Sequence, residues 1–223
     1  MTLLYGALGL DVELSDEHPQ IIVIEDTKSF SMFVRNLWEQ YEGVEGGLSI
    51  LEKGKEVKIN KSIEVIINPF DINCNNKKIL SHIQQEVSDI ILEEKQIELN
   101  RINSDILTVF DEVINKLPYD LEYNLTISPM DLLKTYNLSV GNNQESYLEL
   151  LIEYSHLLVR ACGVKVLISV GLRDYLSPDE IKAYYKEIGY DKLILVDVER
   201  SFDKKISEEN VLIIDKDQCI ICY

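Results

Sequence analysis

The sequence has little positive charge. Its 223 residues include 22 lysines and arginines against 39 aspartates and glutamates, which gives a formal net charge of −17. This composition argues against a protein coated with basic residues for nucleic-acid binding. Long apolar runs are also missing, because no stretch approaches the roughly 18 to 20 apolar residues that a membrane-spanning helix needs. We therefore expect a cytoplasmic protein with no membrane association.

The common motifs for phosphate binding and nucleophilic catalysis are absent as well. The sequence contains no GxxxxGK[ST], no GxGxxG and no GxSxG. Without these, a nucleotide lacks the backbone amides and the lysine that usually hold its phosphates. The four cysteines have no paired framework, which favours reduced thiols over disulfides. The sequence therefore predicts no catalytic site.

Hydrophobic residues make up 46% of the chain, enough for a buried core, and several form short β-branched runs. Runs of this kind are typical of strands buried on both faces. The five runs are Ile21–Ile24, Val65–Ile67, Val164–Val170, Leu193–Val196 and Val211–Ile214. Ser177, Pro178 and Glu180 predict a capped helix between the third run and the fourth. A strand, a helix and a strand in this order predict an α/β fold with a mainly parallel sheet.

The middle of the chain has a different pattern. Residues 76–117 contain no proline or glycine and carry a narrow apolar seam, which predicts one long helix or two abutting helices. A further helix is predicted at residues 145–160. We therefore predict an α/β head built from residues 1–72 and 161–223, with a helical leg inserted at residues 73–160. A narrow seam has to pack on the returning helix, on another subunit or on both.

Positive charge is concentrated at one predicted hairpin. Two apolar segments flank a turn at residues 53–55, and the hairpin region carries Lys53, Lys55, Lys58 and Lys61 against Glu56 alone. By contrast, residues 79–157 contain 14 acidic and 4 basic residues. The pattern predicts that acid is concentrated in the leg while the hairpin presents a local basic surface.

Acidic residues gather where the long helical segment ends. These residues are Asp111, Glu112, Asp120 and Glu122. Carboxylates on an irregular loop suit calcium, which accepts six to eight oxygen ligands in flexible geometry. The spacing is not that of an EF-hand, and an acidic surface exposed to solvent explains the same residues.

Two other acidic positions follow predicted strands. Glu25 and Asp26 come after the first run, and Asp197 comes after the fourth. They resemble the magnesium-holding strand of nucleoside triphosphatases, although a helix cap or a solvated turn is the simpler explanation.

The order of these features resembles the short form of the Csn family, the adaptation proteins of type II-A CRISPR systems. The resemblance covers nearly the whole chain and depends on the order and spacing of its motifs. The motifs are Ile22–Asp26 with Phe30 and Val34, the basic hairpin, Asn68–Asn73, Asp120–Tyr123, Lys165–Val170, Leu176–Glu180, Leu193–Glu199 and Ile213–Asp217.

The resemblance implies a head similar to a P-loop fold that has lost its phosphate loop, and no catalytic activity. It also implies a homotetrameric ring that encircles double-stranded DNA, loads at free ends and serves spacer acquisition with the CRISPR integrase and the effector nuclease. Calcium would bind near the leg, at Asp120 and Glu122 and, by proximity, at Asp111 and Glu112.

Lys53, Lys55, Lys58 and Lys61 are the candidate DNA-binding residues. A closed ring would direct four lysines from each of four copies to one channel, and binding would then weaken steeply with salt. Two alternatives remain open at this point: a nucleotide-binding or nucleotide-hydrolysing α/β protein with an atypical phosphate site, and a coiled-coil adaptor without nucleic-acid contact.

Overall fold

The computed structural model describes residues 1–141 and 143–222, apart from the side chains of Asn60 and Lys61. The strands in this part are β1 (Thr2–Tyr5), β2 (Leu10–Glu13), β3 (Gln20–Ile24), β4 (Leu48–Glu52), β5 (Lys55–Val57), β6 (Ile63–Ile66), β7 (Val166–Val170), β8 (Ile194–Glu199), β9 (Asn210–Ile214) and β10 (Ile220–Cys222). The α-helices are α1 (Thr27–Tyr41), α2 (Ile59–Ser62), α3 (Lys77–Glu94), α4 (Gln96–Ile114), α5 (Pro129–Thr135), α6 (Tyr147–Arg160) and α7 (Pro178–Tyr190). None of the described helices is long and apolar enough to cross a membrane.

The larger sheet has six strands in the order β10-β9-β3-β8-β7-β6. All neighbours pair in parallel except β10, which runs antiparallel to β9. Each of the five predicted apolar runs contributes a strand to this sheet, and all five residues of β3 are buried. The predicted α/β class with a mainly parallel sheet is therefore confirmed.

A second, antiparallel sheet has the order β2-β1-β4-β5. Its buried residues join those of the parallel sheet and of α1 in one core. Phe33 of α1 packs edge-on against Tyr5 of β1, with 5.2 Å between the ring centres. Phe33 and Leu37 are fully buried because they lie one turn apart on the same face of the helix.

The chain divides into two compact units, residues 1–74 with 143–223 and residues 75–142. Helix α6 therefore belongs to the first unit, whereas the sequence placed it in a leg that extends over residues 73–160. The reason is a set of contacts between α6 and α7 that the sequence does not reveal. The hydroxyl groups of Ser155 and Tyr184 are hydrogen-bonded at 2.8 Å, and Arg160 donates to Asp191 at 3.2 Å.

The second unit contains two abutting helices, one of the two predicted alternatives. Helix α3 ends at Glu94, and Lys95, with φ −127° and ψ 18°, departs from helical geometry before α4 begins. Asn75 joins the two ends of the unit, because its side chain donates to the carbonyl of Val140 at 3.0 Å and accepts from the amide of Val140 at 2.7 Å. Part of the apolar seam stays uncovered within the chain: Ile97 is 82% exposed, Val109 58% and Val113 54%.

The observed boundaries change the distribution of charge. Residues 75–142 contain 11 acidic and 6 basic residues, a net charge of −5, and the rest of the chain contains 28 acidic and 16 basic residues, a net charge of −12. Three of the 14 acidic residues counted over residues 79–157 belong to the first unit, so acidic charge is spread over both units in proportion to their length. The positive hairpin remains as a local exception within the acidic first unit.

Candidate functional site

The basic hairpin has the predicted form. Strands β4 and β5 pair antiparallel with Glu52 opposite Lys55, so that Lys53 and Gly54 alone form the turn. Both turn residues have positive φ, 52° for Lys53 and 77° for Gly54. Positive φ at both central residues is the mark of a type I′ turn, which suits the twist of a two-residue hairpin. The turn therefore fixes the register of the strands that carry the lysines.

The first strand of the hairpin is held firmly to α1. The side-chain amide of Gln40 donates to the carbonyl of Leu48 at 2.8 Å, and its oxygen accepts from the Leu48 amide at 2.9 Å. Leu48 and Ile50 are fully buried. Because β4 is anchored in the core, the tip of the hairpin projects from a rigid base.

The acidic residues of the hairpin already have partners. Lys165 donates to both oxygens of Glu52, at 2.8 and 2.9 Å, and this bond holds the pKa of Glu52 below its ordinary value. Glu56 accepts from the Ser49 hydroxyl at 2.9 Å. The hairpin acids are therefore not paired with the hairpin lysines.

Lys53, Lys55 and Lys58 are exposed, and in the described part of the chain no carboxylate lies within 4 Å of their ammonium groups. The fourth candidate, Lys61, lies in α2, and its side chain is outside the described residues. The structure thus brings three candidate lysines to one exposed hairpin and leaves their charges available to an anionic ligand.

The candidate calcium ligands lie on the second unit. Asp111 and Glu112 are in the last turn of α4, Asp120 and Glu122 are in the segment that follows, and all four are exposed. Asp111 accepts a hydrogen bond from the Tyr123 hydroxyl, which raises the pKa of Tyr123. Among the described residues no three acidic, histidine or cysteine side chains are grouped so that they can hold a metal ion.

A P-loop protein binds phosphate at the turn that follows the strand. Here the turn after β3 carries acidic residues instead. Glu25 and Asp26 alone connect β3 to α1, and the Asp26 carboxylate accepts from the Ser29 amide at 2.8 Å. This hydrogen bond lowers the pKa of Asp26. A carboxylate on the amino end of the helix competes with a phosphate for the same amides and repels it. The helix-cap explanation of Asp26 is therefore correct.

Asp197 has a different role from the one that the sequence suggested. Strand β8 continues through it to Glu199, and Asp197 is completely buried rather than placed at a solvated strand end. Its Oδ1 accepts from the Ser169 hydroxyl at 2.7 Å and from the Leu172 amide at 3.3 Å. Its Oδ2 has no hydrogen-bond partner.

Glu199 lies beside this carboxyl group and is also buried. Burial raises the pKa of Asp197 well above its ordinary value, and the neighbouring Glu199 adds to the effect. Burial likewise raises the pKa of Glu199. A proton shared by the two carboxyl groups forms a hydrogen bond between them. This bond gives Asp197 Oδ2 the partner that it otherwise lacks. We expect Asp197 and Glu199 to hold this proton when the rest of the acidic surface is ionised.

A third buried carboxylate, Glu209, was not singled out from the sequence. It accepts from the Tyr185 hydroxyl at 2.7 Å and from the Ile206 amide at 2.8 Å, and it pairs with Arg173 at 2.5 Å. No local motif marks Glu209, because its charged partner is 36 residues away. The network fixes the segment between β8 and β9.

Comparisons with known proteins give one matching family and two matching structures. The family model for CRISPR-associated proteins named Cas_Csn2 matches residues 40–218. The crystal structure of Stu0660 from Streptococcus thermophilus matches with a TM-score of 0.61 and 17% identity, over 96% of this chain and 75% of that chain. A putative ATP-binding ABC transporter protein from Pyrococcus furiosus matches with a TM-score of 0.41 and 7% identity, over 91% and 88% of the two chains. No curated protein sequence matches the chain.

Proposed function

Because the chain belongs to the Cas_Csn2 family of CRISPR-associated proteins, we propose that it binds the ends of double-stranded DNA during the acquisition of new spacers. In this proposal four copies form a calcium-stabilised ring in the cytoplasm, and the ring works beside the CRISPR integrase and the effector nuclease. The ring binds DNA without sequence preference and catalyses no reaction. The observation that carries the proposal is the exposed hairpin with three lysines that pair with no carboxylate among the described residues.

The hairpin suits the backbone of a duplex better than its bases. Lysine donates to phosphate as a point charge, and such contacts carry no sequence information. The hairpin presents Lys53, Lys55 and Lys58. Its described side chains include no arginine, asparagine or glutamine, which are the residues that read base edges in a groove. The expected result is binding that depends on charge and salt rather than on sequence.

A ring makes such a small basic surface effective in an acidic chain. Three or four lysines on one copy compete with a net charge of −17, whereas a closed ring of four copies surrounds one duplex with all of their hairpins. The exposed apolar residues of α4 support association between copies, because Ile102, Val109 and Val113 share one face of the helix and are stabilised when another helix covers them.

The calcium part of the proposal needs more ligands than the described residues of one chain bring together. Asp111 is already engaged by Tyr123, and no three suitable side chains converge in the described residues. Calcium takes six to eight oxygens and accepts backbone carbonyls and water among them. We therefore assign Asp120 and Glu122 to a site that other copies or backbone oxygens complete.

Linear and closed circular DNA distinguish encirclement from ordinary surface binding. In a gel-shift experiment with calcium present, linear duplex is expected to shift and covalently closed circular duplex of the same sequence is not, because a closed ring is loaded only over a free end. Cutting the circle once with a nuclease should restore the shift. Equal binding to the closed and the cut molecule would contradict the encircling model.

The alternative function, nucleotide binding or hydrolysis, is disfavoured by Asp26 on the amino end of α1. We expect no nucleotide turnover above background, because the Asp26 carboxylate already accepts from the Ser29 amide and interacts with Lys28 at the place where a phosphate would have to bind. The measurement is phosphate release from ATP and GTP with magnesium, by the wild type and by Asp197→Asn. Turnover that is lost in Asp197→Asn would favour the alternative instead.

A further inference from the structure

A second set of cations lies on the segment between β8 and β9. Arg200, Lys204 and Lys205 are all exposed, and Asp203 is the one acidic residue between 200 and 206. In the part of the chain that the structure describes, none of the three cations lies within 4 Å of a carboxylate. These three residues, which we call the basic loop, are therefore a second exposed group of available positive charges.

Arg173 fixes the backbone of the basic loop. Its Nη1 donates to the carbonyl of Lys204 at 3.1 Å, and its guanidinium carbon lies 5.3 Å from the centre of the Phe202 ring. Its Nη2 pairs with Glu209 at 2.5 Å, where the Glu209 side chain is fully buried. The charge of Arg173 is neutralised by this pair, so Arg173 is a positioning residue and not part of the binding surface.

Glu209 completes the anchor. It also accepts from the Ile206 amide, at 2.8 Å, and the Tyr185 hydroxyl holds it from the side of α7 at 2.7 Å. The backbone of the loop is thus fixed at Lys204 and Ile206 by one buried network. A loop that is ordered before binding loses less conformational entropy when a ligand arrives, which strengthens binding by otherwise weak surface charges.

The basic loop and the hairpin lie at opposite ends of the parallel strands. The loop leaves the carboxyl end of β8, whereas Lys165, which precedes β7, pairs with Glu52 of the hairpin near the amino end. A strand of five residues spans about 17 Å at roughly 3.3 Å per residue. The two groups of cations are therefore separate surfaces.

We propose that Arg200, Lys204 and Lys205 form a second phosphate-binding surface that contacts the backbone of the DNA duplex. The proposal rests on the function proposed above and adds a contact to it. Exposed lysine and arginine side chains on a fixed backbone suit a row of phosphates, which attract them and need no particular base sequence. Phe202, the aromatic residue of the segment, is covered by Arg173 and does not offer a stacking surface for bases.

The test removes the three charges without reversing them. The variant Arg200→Gln, Lys204→Gln, Lys205→Gln is titrated with linear duplex between about 50 and 200 mM monovalent salt. We expect its affinity to fall at least about tenfold at the lower salt, because up to three phosphate contacts are lost from each copy. The slope of log affinity against log salt should become shallower by up to about 2.7 for each copy of the ring that contacts the duplex, which is three times the roughly 0.9 expected for each phosphate.

A matched control keeps the overall charge change and moves it elsewhere. Lys182→Gln, Lys186→Gln, Lys216→Gln removes three exposed lysines of α7 and of the β9–β10 turn. This control should bind DNA with the affinity and the salt slope of the wild type. Equal losses in the control and in the loop variant would show an effect of net charge and would overturn the proposal.

The remaining outcomes separate this proposal from the one on which it rests. If the wild type does not bind DNA, both the proposed function and the proposed second surface are wrong. If replacing Lys53, Lys55 and Lys58 together by glutamate abolishes DNA binding and the loop variant keeps the affinity and the slope, only the basic loop is excluded. If the loop variant loses binding to polyglutamate but keeps its binding to DNA, the surface serves an acidic protein segment and the phosphate assignment is wrong.

The Arg173–Glu209 pair can be tested separately from the three exposed cations. The double variant Arg173→Gln, Glu209→Gln removes the buried ion pair together, which avoids an unpaired buried charge. It retains all three exposed cations, so we expect a lower affinity with the salt slope of the wild type. A shallower slope in this variant would show that Arg173 contacts phosphate itself and would contradict its positioning role.

Discussion

Replacing Lys53, Lys55 and Lys58 together by glutamate is expected to abolish the shift of linear duplex. The three substitutions change the charge of each copy by −6 at the surface where the proposed contact with phosphate is made. An affinity loss of at least about 100-fold at low salt is expected, because several contacts with phosphate are lost and repulsion replaces them. Gel shift and fluorescence anisotropy over a salt series measure this loss.

The hairpin variant is expected to fold and assemble normally. The three side chains are exposed and form no ion pair in the described chain, and the core contacts of β4 come from Leu48 and Ile50 instead. Surface substitutions of this kind change stability by about 0.5 kcal/mol or less. Native mass and thermal unfolding should therefore match those of the wild type.

A matched variant controls for net charge in this experiment. Lys182→Glu, Lys186→Glu, Lys216→Glu also changes the charge by −6, at exposed positions away from the hairpin. It should lose much less affinity than the hairpin variant, because long-range repulsion between exposed charges is screened beyond about 10 Å at 0.1 M salt. If the hairpin variant binds DNA as the wild type does, Lys53, Lys55 and Lys58 do not form the binding site.

Asp197→Asn is expected to make the protein more stable at pH 8 and to weaken its dependence on pH. Burial raises the pKa of both Asp197 and Glu199 in the folded protein, whereas the unfolded chain titrates them near about 3.9 and 4.3. Above those unfolded values the folded state binds more protons than the unfolded state. The free energy of unfolding of the wild type therefore falls as pH rises, until the pH passes the raised folded values.

The variant removes one titrating group from the buried pair. Asparagine retains an oxygen for Ser169 and Leu172 and offers an amide to Glu199, so the hydrogen bonds of the site are preserved. Within the affected range each proton of difference contributes about 1.4 kcal/mol per pH unit to the slope, and the variant lacks the part that belongs to Asp197. Urea unfolding between pH 5 and pH 8 measures both slopes.

Asp179→Asn provides the control for this measurement. Asp179 is a carboxylate of α7 whose side chain is 94% exposed, so this variant tests whether the loss of any one carboxylate is enough to change the slope. Parallel stability curves for the wild type and Asp197→Asn from pH 5 to pH 8 would show that the buried pair holds no extra proton.

Much of the fold follows from short stretches of sequence. The β-branched runs predict the central strands, the Ser177 to Glu180 pattern predicts the capping box of α7, and the lysine-rich turn predicts the hairpin. These features depend on periodicity, cap chemistry and turn chemistry, which neighbouring residues supply themselves. The predicted resemblance to the Csn family is confirmed by the family match over residues 40–218.

Other features depend on residues far apart in the chain. The sequence assigned α6 to the leg because no local pattern shows that it packs on α7, and it placed Asp197 in a solvated turn or cap because the run before it is short. The Ser169–Asp197 and Arg173–Glu209 contacts join residues 28 and 36 positions apart. They form only when the parallel strands align, so neither residue pair carries a signal of its own in the sequence.

The sequence by itself therefore determined the family, the α/β class and the place of the basic hairpin in a chain of net charge −17. Only the tertiary structure decided where the second unit ends, that Asp197 and Glu199 are buried together, and that Arg173 and Glu209 hold the basic loop. The physical reason is the range of the interactions. Strand, cap and turn preferences act between neighbours, whereas burial and ion pairing depend on which distant residues the sheet brings into contact.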